Sequence, residues 1–220
     1  MSSMYETIME LPLFKGIGEE QLSQMLEKTS VEFIKYEDGD FIARVKDKVE
    51  TVTFILSGRV RRTHYLENFK IGIDEILGKG NLLGALHLFG LVTNYGADIH
   101  ALGKVSVMKI RKSDYMNILL SDRIYLLNFV NYLSAAAQKT PLLMQELKNP
   151  CISRSLYTLA FTYASRGAET IMVAGEDSEL ARFCGVSDKE FEEWKSNELS
   201  HNRIIVNQRG IFLKSPHLLR

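Results

Sequence analysis

Between residues 30 and 110 apolar and polar positions alternate in short runs: VEFIKY (31–36), DFIARV (40–45), TVTFIL (51–56), RVRRTHY (59–65), FKIGIDEIL (69–77) and KVSVMKI (104–110). A period of two sends successive side chains to opposite faces, which marks half-buried strands. Glycines at positions 39, 58, 72, 78, 80, 84, 90, 96 and 103 punctuate these runs and supply turns and bulges. Many short strands at this spacing predict a sandwich or jelly-roll barrel. A short helix, Glu19 to Thr29, precedes them.

The period then changes. Ser113 to Leu120 starts helical, and Ser121 or Asp122 is placed to cap a longer helix. Along it Leu126, Val130, Leu133, Ala137, Thr140, Met144 and Leu147 recur at alternating steps of four and three, a heptad seam suited to pairing with another helix. Packing against its own barrel is the plainer use of such a stripe, but its width favours dimerisation, which leaves Leu127, Phe129 and Tyr132 to face the barrel. Pro141 removes one backbone donor and predicts a local kink. Asn149-Pro150 ends the helix and marks a domain boundary.

Beyond the boundary, Ser153 to Ser165 reads as an amphipathic helix carrying Leu156, Leu159, Ala160 and Tyr163. Two shorter helical patterns follow, Ser178 to Cys184 and Asp188 to Leu199. Gly185 permits a left-handed turn between them, and Ser187 with Glu190 forms a capping box opening the second helix. Helix, short turn and capped helix make a helix-turn-helix pattern. The runs IIV (204–206) and IFL (211–213), joined through Asn207 to Gly210, predict a trailing hairpin, the wing of such a motif.

Composition narrows the chemistry. Of 220 residues, 45% are hydrophobic and 25% charged, the balance of a globular protein. Twenty-seven basic side chains match twenty-seven acidic ones, so only a local patch is available for a polyanion. Two separated cysteines, Cys151 and Cys184, argue against a disulfide scaffold or a Cys-ligated cluster and fit a reducing cytoplasm. The five histidines have no metal-binding spacing, and no nucleophile elbow or phosphate loop occurs, so neither metal nor cofactor nor enzymatic activity is expected. The N-terminus lacks the features of a signal peptide, and no apolar run is long enough to span a membrane.

Taken in order, YEDGDFI (36–42), TFILSGRVRR (53–62), GKGNLLGALHLF (78–89), ARFCGVSDKEF (181–191) and NRIIVNQRGIFL (202–213) resemble the Crp/Fnr family of bacterial transcription regulators, from about Leu11 to Leu219. The resemblance implies an α+β fold in three parts. These are a cyclic-nucleotide-binding-like β jelly-roll barrel over 1–120, a dimerisation helix over 121–149, and a winged helix-turn-helix DNA-binding domain over 150–220. It further implies a homodimer acting on double-stranded promoter DNA in the cytoplasm, with RNA polymerase a candidate further partner.

The departures from the family pattern are local. Where cyclic-nucleotide binders carry Gly-Glu, this chain has Gly84-Ala85, and the later Arg-containing segment reads Asn94-Tyr95-Gly96-Ala97-Asp98. Ala85 accepts no hydrogen bond from a ribose hydroxyl, and Asp98 repels a phosphate. Binding of cyclic AMP or cyclic GMP is therefore not expected. The pocket either takes another effector, with Arg61, Gly84, Ala85, His87 and Tyr95 as lining residues, or is a filled core.

The expected DNA contacts are Ser187, Asp188, Lys189, Glu193, Arg203 and Arg209. Residues 176–199 carry three basic and eight acidic side chains, a sum of minus five, whereas 200–220 carry four basic and none acidic. An acidic reading helix works against the phosphate field, although Glu can accept from a cytosine amino group. The alternative to a DNA-binding regulator is a protein-interaction module derived from one.

Overall fold

Strands and helices share the computed structural model, which describes residues 4–146, 151–164 and 170–213, without the side chains of 139–146, Phe161 and Thr170. The helices are α1 (Met4–Met9), α2 (Glu19–Glu27), α3 (Lys112–Ser121), α4 (Arg123–Glu146), α5 (Ile152–Tyr163), α6 (Asp177–Cys184) and α7 (Asp188–Ser200). The strands are β1 (Val31–Tyr36), β2 (Phe41–Ala43), β3 (Thr51–Leu66), β4 (Ile71–Leu77), β5 (Leu82–Leu83), β6 (Asp98–Arg111), β7 (Thr170–Ala174), β8 (Ile204–Asn207) and β9 (Gly210–Leu213). They follow the order β1-β6-β3-β4-β7-β9-β8, with β2 on β6 and β5 on β3. The expected β-and-helix architecture is present, but the antiparallel sheet is an open path rather than a closed barrel. TVTFIL and RVRRTHY, two runs in the sequence, are one sixteen-residue strand, β3.

Two compact units emerge, one from residues 1–60 with 78–137, the other from 61–77 with 138–220. β3 is covalently part of both.

The first unit gathers Phe14, Leu22, Val52, Phe54, Leu88, Met108, Ile110, Tyr115, Tyr125 and Phe129 into one core. The Phe14 ring lies tilted against Phe54 at 5.4 Å and against Tyr125 at 4.9 Å between centroids. Burying each such ring stabilises by about 1.5–3 kcal/mol. The start of α4 is fixed from both sides. Asp122 accepts a 2.8 Å hydrogen bond from the Tyr125 amide, as its capping position predicts. The Asn128 amide group donates to the carbonyls of Leu13 and Lys15 at 3.0 and 2.9 Å.

The second unit buries Ile71, Ile73, Leu156, Val173, Leu180, Phe191, Ile204 and Ile211 together. Its strands pair β4 with β7, β7 with β9, and β9 with β8. The trailing hairpin forms where the sequence predicts it. β7, by contrast, has no signal in the sequence: ETIMVAG offers four consecutive apolar residues and no period. The expected boundary at Asn149-Pro150 lies outside the described residues.

Candidate nucleic-acid interface and effector pocket

In the C-terminal head, α6 ends at Gly185, which adopts the left-handed conformation (φ 71°) and returns its amide to the helix. Ser187 then caps α7 reciprocally: its hydroxyl accepts from the Glu190 amide at 3.3 Å, and Glu190 accepts from the Ser187 amide at 2.9 Å. Hydrogen bonds from the Ser187 side chain and backbone hold the Glu190 carboxyl below its ordinary pKa. The inner face of α7 is anchored by fully buried Phe191 and by Trp194, whose indole donates to the Ser153 hydroxyl of α5 at 2.7 Å.

The outer face of α7 presents Asp188, Lys189, Glu192 and Glu193, all exposed. The cations of the helix pair have local carboxylate partners. Lys189 faces Glu193 at 3.9 Å, Lys195 is held by Asp177 and by Glu192 at 2.7 Å, and Arg182 pairs with Glu179 at 2.5 Å. Arg203 grips the buried Glu198 with two 2.7 Å hydrogen bonds, so it also has a structural task within the head. Arg209 lies at the exposed turn of the β8–β9 hairpin, with no carboxylate partner among the described residues. The structure thus brings Ser187, Asp188, Lys189 and Glu193 onto one helix start.

The first unit holds four of the five expected pocket residues. Gly84 has φ 81°, and a Cβ there would lie 2.9 Å from the Tyr95 hydroxyl, 2.9 Å from Val49 Cγ1 and 3.0 Å from the Thr51 carbonyl. Tyr95 therefore occupies the space directly against Gly84. Backbone bonds fasten its segment: Tyr95 donates to Asp47 and accepts from Lys46, both at 2.8 Å. Burial pushes the Tyr95 hydroxyl up to about 12, against the counteracting hydrogen bond with Thr53. Ala85 is buried, whereas His87 lies 3.4 Å from the Val92 carbonyl. The Asp98 carboxylate accepts from the Val45 amide at 2.7 Å. Arg61 belongs to the second unit, where it faces Asp74 at 3.9 Å.

The proposed seam on α4 is exposed at Leu126, Val130 and Ala137, while Leu133 packs partly against the core of the first unit. Leu127 is 60% exposed and does not face that core, contrary to expectation; Tyr125 takes the inward position instead, with Phe129. Helix periodicity explains the exchange, since 125, 129 and 132 share a face that 127 lies across from. The side chains of Thr140 and Met144, and Leu147 altogether, lie outside the described residues.

Residues 33–122 match the cyclic nucleotide-binding domain family. That stretch spans β1 to the end of α3 and includes Gly84 and Tyr95. Across both units the chain is similar to the catabolite activator protein of Thermus thermophilus, at 18% identity, covering 94% of this chain and 96% of that one, with a TM-score of 0.54. It is similar also to the c-di-GMP responsive global regulator CLP of Xanthomonas campestris, at 14% identity, with coverages of 90% and 100% and a TM-score of 0.54. A transcriptional regulator of Thermotoga maritima matches at 20% identity over 58% of this chain and 97% of its own, with a TM-score of 0.50. At these identities the shared property is the fold. No curated protein matches the chain in sequence. Among the described residues, no helix is long and apolar enough to cross a membrane, and no cluster of three metal-ligating side chains occurs.

Proposed function

We propose that the chain is a homodimeric, DNA-binding transcription regulator of the Crp/Fnr type, whose sensor-like unit takes neither cyclic AMP nor cyclic GMP. The observation that carries this reading is the full-length fold likeness to the catabolite activator protein over 94% of the chain. Within that frame α6 and α7 form the helix-turn-helix, α7 is the reading helix, and β8–β9 is the wing, with Arg209 at its tip reaching a phosphate. The apolar stripe begun by Leu126 and Val130 joins two copies, and so sets two heads at the spacing of adjacent half-sites.

The residues of the pocket do not fit a cyclic nucleotide. A ligand phosphate requires oriented amides and usually an arginine fork, whereas the segment Asn94-Tyr95-Gly96-Ala97-Asp98 supplies no arginine and carries a carboxylate. The Ala85 side chain has no acceptor for a ribose hydroxyl.

Duplex binding tests the reading directly. Titrating salt against binding of the full chain to its own upstream DNA should give a linear fall of log affinity with log salt, at about 0.9 per phosphate contacted. No binding at low salt, or a flat response, overturns it. Asp188→Lys with Glu193→Lys should strengthen duplex binding several-fold by removing repulsion from the groove.

A further inference from the structure

We infer that Glu198 and Arg203 form a charged brace that sets the angle at which the β8–β9 hairpin leaves α7. Arg203 is thereby a positioning residue for Arg209 and not itself a phosphate contact; this second half of the inference rests on the regulator reading. Every contact involved lies within the C-terminal head.

The end of α7 carries the brace. Asn202 takes the left-handed conformation (φ 56°). The Arg203 amide donates to the Glu198 carbonyl at 3.0 Å and the Asn202 amide to the Leu199 carbonyl at 2.9 Å. These two bonds make the Schellman stop of a helix, in which the side chains at the places of Glu198 and Arg203 meet and are commonly apolar. Here they are an ion pair. Arg203 donates from Nε and Nη2 to the two carboxylate oxygens, both at 2.7 Å, in the side-on fork of a guanidinium. Glu198 is buried, and a buried carboxylate stripped of its counter-charge is strongly destabilising, so the guanidinium stays with it. Lys189 and Lys195 differ in this: their carboxylate partners are exposed, so water or a phosphate can take the carboxylates' place. Burial, then the Glu198 charge, raise the pKa of the Tyr157 hydroxyl while Arg203 opposes them, so the pair acts on α5 as well.

The hairpin begins at once. Three residues, His201 to Arg203, separate α7 from β8, and Ile204, the next in the chain, is buried in the head's core. A fixed Arg203 side chain therefore fixes the first step of β8. From there β8 runs in register with β9, from Ile204 opposite Leu213 to Asn207 opposite Gly210, and the Arg209 amide donates to the Asn207 side chain at 2.8 Å. The turn that carries Arg209 thus moves with the strand beneath it. Four strand residues span about 13 Å, so a tilt of about 20° at the base carries the turn about 4 Å sideways. That displacement exceeds the reach of a hydrogen bond to a phosphate.

Two variants of the full chain separate positioning from direct contact. Arg203→Lys keeps the charge and loses the fork; Arg203→Met/Glu198→Leu keeps the net charge and restores the apolar pair usual at such a stop. Each is made with and without Arg209→Ala, and two readouts are taken: amide hydrogen exchange in residues 204–206, and the slope of log affinity for upstream duplex against log salt. In the unmodified chain Arg209→Ala should lower the slope by about 0.9 for each copy that reaches a phosphate. In Arg203→Lys, exchange should rise about tenfold and Arg209→Ala should lower the slope no further, because the two residues are coupled. In Arg203→Met/Glu198→Leu, exchange and slope should return to those of the unmodified chain, and Arg209→Ala should lower the slope again. A slope kept in Arg203→Lys but reduced in the double variant makes Arg203 itself a phosphate contact and overturns the positioning role. Unchanged exchange in Arg203→Lys overturns the brace whatever happens to duplex binding. No duplex binding by the unmodified chain overturns the regulator reading and the positioning role with it, while the exchange result still decides the brace.

Discussion

A half-buried tyrosine hydroxyl held by a hydrogen bond to Thr53 is a pH-sensitive group. Burial raises Tyr95 from 10.0 to about 12, and it moves Tyr115 and Tyr125 the same way. Below pH 10 the folded and unfolded chains both hold the Tyr95 proton. Between pH 10 and about 12 the unfolded chain releases it and the folded chain does not, so stability falls as pH rises. Tyr95→Phe should cost about 1 kcal/mol at pH 8 through the lost hydrogen bond to Thr53. It should also flatten the decline between pH 9 and 11, as followed by urea unfolding with circular dichroism; an equally steep decline in the variant would refute the assignment. At this scale the sequence was informative only where a rule is local. Ser187 and Glu190 stand three residues apart, so their mutual cap is visible in the letters. The contact of Tyr95 with Gly84 is not: it depends on two segments zipped together by the backbone of residues 46–49 and 93–95.

Elements show the same division between local and distant causes. β1 occupies VEFIKY residue for residue, because alternation and flanking turns act within six positions. DFIARV shrinks to three residues because its pairing with β6 shifts register between Phe41 and Ala43. β7 was illegible, since a four-residue apolar run is made a strand by partners far away in sequence, β4 and β9. The hairpin's membership of the C-terminal unit was illegible for the same reason. Its buried ion pair offers a measurable consequence. Arg62→Met leaves the Glu75 carboxylate, 1% exposed, without its guanidinium. Breaking such a pair from one side costs about 3–5 kcal/mol. The loss should appear as a lower urea midpoint for Trp194 fluorescence, since Trp194 is the single tryptophan and sits in the head. Arg62→Met/Glu75→Leu should recover much of it, and a double variant no better than the single one would contradict the pairing.

For the whole molecule the reading depends on association between copies. Leu126 and Val130 are 40% and 45% exposed on α4, on a helix whose opposite side is committed to the core of the first unit. Replacing both with aspartate should convert a dimer into a monomer in light scattering while leaving the circular dichroism spectrum unchanged. A wild-type chain that is already monomeric at micromolar concentration would contradict the assembly. The repeat of the heptad is local to the sequence; which of its members touch the chain's own core is not, and Leu133 does so in part.

The sixteen-residue span of β3 has a further result for the biochemist at the bench. A protease that nicks the connection between α4 and α5 severs the polypeptide, but the piece ending there still contains β4 and the other still contains β7. The fragments should therefore co-elute on a sizing column, part only in denaturant, and pass for an uncut protein until run on a denaturing gel.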